Sequence, residues 1–162
     1  MTVERIFISK VRGGPQVECT TISVVAGAGI EGDRNFAQND DPGQNISLIE
    51  AEEIEAFFSE SREVRDISVT RRNIVTRGVQ LNDLVGKDFM IGEVKLRGVE
   101  LCEPCALIGR TLASADYPVA AVVKRLTNRA GLRTNALSSG DISRGAKVKN
   151  AVQPYGQGDA AR

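Results

Sequence analysis

The sequence contains no histidine and only three cysteines among its 162 residues. The absence of histidine excludes Ser-His-Asp and Cys-His nucleophiles, zinc sites with histidine ligands, and histidine general bases. Three cysteines are too few for an all-cysteine zinc site or an ordinary iron–sulfur cluster held within one chain. Any redox reaction of this protein therefore needs a cofactor that the chain does not build from its own side chains.

Long hydrophobic runs are also missing. No apolar stretch approaches the ~20 residues that span a bilayer, and the start of the chain lacks the uninterrupted hydrophobic block of a signal peptide. These absences predict a cytoplasmic protein that does not bind membranes. Because cytoplasmic cysteines are mostly reduced, the closely spaced Cys102 and Cys105 are expected to carry thiol chemistry rather than a structural disulfide.

The composition is that of an ordinary globular protein, with 41% hydrophobic and 26% charged residues. The length suits one compact domain, which is predicted to cover residues 1–150. The polar, glycine-containing tail of residues 151–162 is predicted to be disordered.

Positive and negative charges balance overall, at 21 each, which argues against a protein that coats nucleic acid. The charges are nevertheless separated along the chain. Residues 31–66 carry eleven acidic and three basic side chains, a net charge of −8, whereas residues 67–149 carry seven acidic and fourteen basic side chains, a net charge of +7. Since fifteen of the 21 basic residues are arginine, the second segment is predicted to bind a phosphate or carboxylate.

Short extended segments separated by glycines make up most of the chain. They predict a mainly β (α+β) fold, an antiparallel β-barrel with two or three peripheral helices. The first thirty residues are predicted to form a hairpin that turns at Gly13-Gly14-Pro15. Residues 27–45 are rich in glycine and poor in large apolar side chains, which predicts an irregular loop.

Two helices are predicted from apolar spacing. Ser47 and Glu50 match a capping box, and a helical apolar face follows, so the first helix is expected over about residues 48–59. The second helix is expected to begin after Pro118 and to end before Gly131. Residues 106–108 could add a helical turn.

Two short motifs suggest chemistry. Residues 27–32 match the GxGxxG pattern of dinucleotide-binding loops, but no helical pattern follows the glycines, so this interpretation is rejected. Cys102 and Cys105 form a CxxC motif, whose thiols can form or exchange a disulfide, bind a soft metal, or simply pack in the core. Cys19 lies in a predicted strand and is interpreted as a packing residue.

Arginines occur in two groups that could accompany the cysteine chemistry. Arg71 and Arg72 precede Asn73, and residues 129–133 contain two further arginines. A soft thiolate combined with several guanidinium groups suits a ligand that has a soft metal or sulfur centre and an anionic arm. A phosphate-bearing metal cofactor meets both requirements.

Several segments, taken in order, resemble the molybdenum cofactor sulfurase C-terminal (MOSC) domain over about residues 27–149. None of these motifs is specific alone, and the resemblance rests on their order and spacing. They are Gly29-Ile30-Glu31-Gly32-Asp33-Arg34, Asn45 to Glu50, Arg72 to Val79, Leu84 to Lys87, Ile91-Gly92, Cys102 to Cys105, Gly131-Leu132-Arg133 and Gly140-Asp141-Ile142.

The resemblance implies a free-standing single-domain member with a barrel-like fold and one family cysteine, which is placed at Cys105 rather than Cys102. Such domains are associated with binding the molybdenum cofactor (molybdopterin), with carrying sulfur as a persulfide, and in some members with reducing N-hydroxylated compounds. By position, Arg34, Arg72, Asn73 and Arg133 match motif residues and are expected to bind the cofactor.

One position departs from the pattern. Many relatives have histidine after the Gly-Asp-Arg of the first loop, whereas this chain has Asn35. An amide can form hydrogen bonds but cannot carry a proton near neutral pH. This departure argues against full catalytic activity. It argues much less against the expected binding of the cofactor.

The sequence thus predicts a molybdenum-cofactor protein in which Cys105 is both the metal ligand and the catalytic residue. A small-molecule substrate and a flavoprotein or haem protein as electron donor would complete a reductase. Two alternatives stay open: Cys105 could carry a persulfide received from a sulfur donor, or the protein could be a non-catalytic binding module. Nucleic acid is not an expected partner.

Overall fold

The computed structural model describes residues 1–38 and 45–150. The predicted disordered tail lies outside these residues, as does part of the predicted loop. The strands are β1 (Thr2–Ile8), β2 (Val17–Cys19), β3 (Thr21–Val25), β4 (Gly29–Ile30), β5 (Ile46–Glu50), β6 (Ile74–Arg77), β7 (Asp88–Ile91), β8 (Val94–Leu101), β9 (Leu132–Ala136), β10 (Gly140–Ser143) and β11 (Val148–Asn150). The helices are α1 (Ala51–Ser61), α2 (Ala106–Leu112) and α3 (Val119–Leu126), with 3₁₀ turns at Ile67–Thr70 and Leu81–Leu84.

Within the described residues the strands form two sheets. The larger sheet has the order β11-β7-β8-β9-β5-β6-β1-β2, and the smaller has the order β10-β3-β4. Neighbouring strands are antiparallel except for β5 and β6, which are parallel. A parallel pair needs a crossover connection, and α1 provides it between these two strands.

The larger sheet curls back on itself. The amide of Val3 donates to the carbonyl of Ala146 at 2.9 Å, and the amide of Val148 donates to the carbonyl of Met1 at 3.1 Å. These bonds join β1 to the chain around β11, which is the opposite end of the strand order. The mostly β, barrel-like fold with three helices confirms the predicted fold class.

Two apolar cores lie on opposite faces of the curved sheet. Consecutive strand residues alternate between them, so that Ile6 packs inside the barrel while Phe7 packs outside against the helices. Ile74 and Val75 divide in the same way. The central strands are therefore buried on both faces, and the outer core binds all three helices to the barrel wall.

The first helix was placed too early by the sequence pattern. Residues 46–50 form β5, and α1 begins at Ala51. Ser47 does not cap the helix, because its backbone amide and its hydroxyl both donate to Oδ1 of Asn73, at 3.1 and 3.0 Å. The N-cap residue is Glu50, whose side chain makes no capping bond. The capping-box prediction is wrong, whereas the helix that follows Pro118 is confirmed as α3.

The other local predictions are largely confirmed. β1 pairs with β2 in a hairpin, with Ile6 opposite Cys19. The second predicted strand of that hairpin divides after Cys19, because β3 joins the smaller sheet and pairs with β10. The predicted loop is irregular over most of its described part, but Gly29 and Ile30 form the short strand β4. The turn predicted at residues 106–108 extends into α2.

No helix in the described ranges is long and apolar enough to cross a membrane.

Candidate functional site

Cys105 is exposed at the junction between β8 and α2, where it is the N-cap residue of the helix. The segment from Cys102 to Cys105, which has no regular secondary structure, leads from β8 to α2. The thiol therefore faces solvent directly in front of the first backbone amides of α2.

The surroundings of Cys105 favour the thiolate. Partial burial alone raises the pKa of this thiol, but hydrogen bonds from the backbone amides of Ile108 and Leu107 and the positive charge of Arg72 lower it more. The net effect holds the pKa of Cys105 below its usual value. A larger fraction of this cysteine is consequently a nucleophilic, metal-binding thiolate at neutral pH.

A cavity of about 240 Å³ opens beside this thiol. Its polar lining comes from four loops that are distant in sequence, and its apolar lining comes mainly from α2 and the first 3₁₀ turn. No carboxylate is among the described residues that line it. We call this cavity the arginine basin, after the side chains that accompany Cys105 in its lining, which are Arg12, Arg34, Arg71 and Arg72.

The 3₁₀ turn Ile67–Thr70 presents two of these arginines. Asp66 caps the turn by accepting a hydrogen bond from the amide of Ser68, and Arg71 ends it in the left-handed conformation, with φ of 59°. Arg71 Nη1 donates to the carbonyl of Gly14 at 2.9 Å. Because this bond fixes one end of the guanidinium, the side chain is held between the turn and the Gly13-Gly14-Pro15 loop.

Arg72 is fixed from the opposite side. Its Nε donates to the carbonyl of Ala130 at 2.9 Å, next to the start of β9. Arg72 lines the basin together with Cys105.

Arg34 belongs to the loop after β4 and is largely buried, with 16% of its side chain exposed. Burial lowers the pKa of Arg34, and the neighbouring arginines lower it further, although Asp33 opposes them. Its Nη1 lies 3.7 Å from Oδ1 of Asp33, a distance at which the attraction is only partial. Several guanidiniums thus repel one another around the basin, an arrangement that a bound anion would relieve.

Asn73 lies beneath the basin and does not line it. Its side chain is fully buried, and its Nδ2 donates to the carbonyl of Phe7 and to Oδ1 of Asp33, both at 3.2 Å. Its Oδ1 accepts the two bonds from Ser47 described above. Asn73 therefore ties together β1, β5 and the Arg34 loop.

Arg133 and Cys102 lie apart from the lining as well. Arg133 lies on β9, where it forms an ion pair with Glu100 at 3.2 Å. Burial raises the pKa of Cys102, although Arg72 and Arg133 nearby oppose the effect. Cys102 is 1% exposed and belongs to the outer core, so the CxxC motif contains one accessible thiol and one packed thiol.

Of the residues selected from sequence, the structure brings Arg34, Arg72 and Cys105 into one cavity. Asn35 also lines it, at the position where relatives have histidine. Two arginines of the basin were not selected. Arg71 was noted only as part of a run, and Arg12 gave no signal other than its place directly before the Gly13-Gly14 turn.

A second cavity, of about 190 Å³, is less suited to an anionic ligand. Glu50 and Glu53 line it together with Arg129. Arg129 already pairs with Glu53 at 3.1 Å, so the cavity has no surplus positive charge.

The chain by itself does not assemble a metal site in its described part. No group of three or more acidic or cysteine side chains there is arranged to hold a metal ion. Cys105 with the basin instead suits a metal that arrives within an anionic organic cofactor, because the thiolate supplies one soft ligand and the arginines bind the anionic part.

The family model described as the MOSC domain matches residues 13–149. No curated protein is similar enough in sequence to count as a relative. Solved structures agree with the family match. The YuaD protein from Bacillus subtilis superimposes with a TM-score of 0.79 at 17% identity, over 91% of this chain and 94% of that protein.

Two YiiM structures share the fold. YiiM from Geobacillus stearothermophilus has a TM-score of 0.72 at 12% identity, over 96% of this chain and 77% of its own. YiiM from Escherichia coli has a TM-score of 0.67 at 18% identity, over 95% of this chain and 71% of its own. At such low identities these likenesses establish the fold alone.

Proposed function

Because this chain belongs to the MOSC domain family, we propose that it binds the molybdenum cofactor in the arginine basin, with the Cys105 thiolate as a ligand of the metal. The family is associated with binding this cofactor in general. The observation that carries the proposal is an exposed thiol, with its pKa lowered, in one cavity with four arginines and no carboxylate.

The residues of the basin fit the cofactor in two respects. A phosphate accepts several charge-assisted hydrogen bonds, and Arg12, Arg34 and Arg72 line the basin from three separate segments of the chain. A thiolate is the soft ligand that such a metal requires, and Cys105 is the accessible one of the two in the motif.

We also propose that the arginine basin takes part in catalysis. A bound molybdenum cofactor supplies two-electron redox and oxygen-atom chemistry, which suits reduction of an N-hydroxylated substrate to the N–H compound and water. The guanidiniums hold the anionic groups in place, and the side chains of Leu107 and Ile108 provide an apolar wall. Asn35 can orient a polar group by hydrogen bonding but does not transfer protons.

A reductase of this kind requires a partner. The chain has too few cysteines for an iron–sulfur cluster, so electrons must come from a flavoprotein or a haem protein. We place this exchange in the cytoplasm, where the three cysteines, none of them in a disulfide, would stay reduced. Residues 1–150 are proposed to act as one domain.

Molybdenum content tests the proposal. The protein is purified from a host that makes the cofactor, as wild type, Cys105→Ser and the matched control Cys19→Ser. Cys19 is half-buried on β2 and does not line the basin. We expect near-stoichiometric molybdenum in the wild type and in Cys19→Ser, and loss of most of it in Cys105→Ser. Absence of the metal from the wild type, or equal content in all three proteins, would reject the proposal.

The exposure of Cys105 and its lowered pKa also favour a second candidate, a persulfide carrier that passes sulfur to an acceptor metal centre. In that case intact-mass analysis finds a wild-type adduct of one sulfur atom that dithiothreitol removes and Cys105→Ser lacks. If the protein is a non-catalytic binding module, neither its molybdenum content nor its sulfur content will depend on Cys105.

A further inference from the structure

A side groove of about 320 Å³ continues from the arginine basin past Leu107. Gln16, Val69 and Arg71 line it, and Val69, Arg71 and Leu107 also line the basin. The two spaces therefore share a wall. Cys105 lines the basin and is not among the residues that line the groove.

Two buried donors in this groove have no acceptor within the described part of the chain. They are Nε2 of Gln16 and Nη2 of Arg71. The side-chain oxygen of Gln16 accepts a hydrogen bond from Nη1 of Arg34 at 3.4 Å, which leaves the amide nitrogen as the unpaired group. Native proteins rarely leave buried donors unpaired, and a bound ligand or water is the usual partner.

The rest of the lining restricts the chemistry of that partner. Within the described part of the chain no carboxylate lines the groove, so an anionic acceptor for these donors would come from a ligand. Val69 and Leu107 add apolar surface, and Leu107 is 58% exposed although it is a leucine. A group with two acceptor oxygens would satisfy both donors, and an apolar body attached to it would cover Leu107.

We propose that the side groove is a subsite for an organic oxyanion, held between Gln16 Nε2 and Arg71 Nη2 with its apolar body against Leu107. One feature of this inference rests on the proposed function: the far end of the bound molecule enters the basin toward Cys105. The oxyanion is a carboxylate of the small-molecule substrate or a phosphate ester. Either group would accept hydrogen bonds from the same two donors.

Titration of the full chain without cofactor tests the subsite, with ¹H–¹⁵N spectra that resolve the Gln16 side-chain amide. Benzoate carries an oxyanion on an apolar body, phenyl phosphate carries the ester, and benzyl alcohol carries the body alone. We expect benzoate or phenyl phosphate to shift the Gln16 side-chain amide and the Leu107 backbone amide, and the tighter of the two identifies the source. Equal shifts with benzyl alcohol would overturn the proposal.

Two variants sharpen the test. Gln16→Met removes the donor at similar volume, and Gln16→Glu keeps an acceptor for Arg34 while placing a carboxylate beside Arg71. We expect each to weaken benzoate binding about tenfold or more, since a charge-assisted site is lost. Gln80→Met is the matched control, because Gln80 does not line the groove, and it should bind benzoate as the wild type does. Unchanged affinity in Gln16→Glu would overturn the subsite.

The cofactor proposal and the subsite proposal can be rejected independently of each other. Molybdenum that depends on Cys105 should persist in Gln16→Met, because Gln16 does not line the basin and its contact with Arg34 is a single bond at 3.4 Å. Benzoate binding to a protein that never acquires molybdenum would support the subsite while rejecting the cofactor proposal. Molybdenum that depends on Cys105, without any shift of the Gln16 amide, would reject the subsite alone.

Discussion

Two cysteines that lie three positions apart differ completely in chemistry because one enters the core and the other leaves it. Burial raises the pKa of Cys102, whereas the helix amides and Arg72 lower the pKa of Cys105. A redox pair would need both thiols to be accessible, and Cys102 is buried. The structure therefore favours chemistry at a single thiol.

Alkylation by iodoacetamide checks this difference residue by residue. We expect rapid modification of Cys105 in the folded protein and none of Cys102, read by peptide mass spectrometry. Since Arg72 stabilises the thiolate, Arg72→Met should raise the pH midpoint of the Cys105 reaction and slow it about two- to threefold at pH 7. Arg72→Lys keeps the charge and serves as the control.

A reaction of Cys102 as fast as that of Cys105 would contradict the burial argument. An unchanged midpoint in Arg72→Met would show that the helix amides alone determine the thiolate.

The sequence identified residues of the site better than it identified their roles. Cys105, Arg34 and Arg72 line one cavity as expected, but Asn73 and Arg133 do not. Membership of a motif does not tell on which side of a strand a side chain points or what it contacts. Asn73 is fully buried just before β6, and only its hydrogen-bond partners, which come from distant segments, give its role.

Among the elements, β5 shows why the fold could be predicted only in part. The sequence Ile46-Ser47-Leu48-Ile49 is almost continuously apolar because the strand is buried on both faces, Leu48 in the barrel and Ile49 against the helices. Such a run cannot be told from the start of a buried helix by periodicity. The barrel and α3 were predictable because alternation, glycine turns and Pro118 give local signals.

The 3₁₀ turn Ile67–Thr70 connects stability to the basin, since it carries Arg71 and Arg72 at its end. Asp66 caps it and also pairs with Arg5 at 2.7 Å. Hydrogen bonds from Ser68 and then from Arg5 lower the pKa of Asp66 to about 2, from an ordinary value of 3.8. The carboxylate contributes most when it is ionised.

We expect Asp66→Ala to lower the free energy of unfolding at pH 7 by about 1 kcal/mol or less, since the side chain is about half exposed and solvent screens it. Because the pKa of Asp66 is lower in the folded state than in the unfolded state, its ionised carboxylate stabilises the fold above pH 3.8. This stabilisation is lost as the pH falls toward 2. Urea unfolding across that range should therefore show the wild type and Asp66→Ala converging.

Asp83→Ala, in the other 3₁₀ turn, is the control. A difference between the wild type and Asp66→Ala that is independent of pH would mean that the cap acts without its charge.

At the scale of the whole molecule, a chain with no net charge concentrates arginines at one place. The charge distribution along the sequence pointed to residues 67–149 as an anion-binding segment, yet two arginines of the basin, Arg12 and Arg34, come from outside it. Arg34 belongs to the acidic segment, and its loop reaches the basin through Asp33, which accepts from the amide of Ser9 at 3.0 Å. Counts of charge along the sequence miss such sites, because the fold brings together charged side chains that are distant in the sequence.

The local surplus of positive charge should make the apo protein bind pyrophosphate. With free pyrophosphate at about ten times its Kd, we expect the Tm to rise by about 3–5 °C in thermal unfolding. Arg34→Met should lose most of this shift, because Arg34 lies largely buried among the other guanidiniums.

The matched control is Arg97→Met, whose guanidinium pairs with Asp88 at 2.6 Å on β7 and lies outside the basin, so its shift should equal that of the wild type. Added sodium chloride should weaken binding only in part, since the partly buried guanidiniums are screened less than exposed ones. Equal shifts in Arg34→Met and Arg97→Met would mean that pyrophosphate binds the general surface. The arginines would then be paired too well within the fold to hold a phosphorylated ligand.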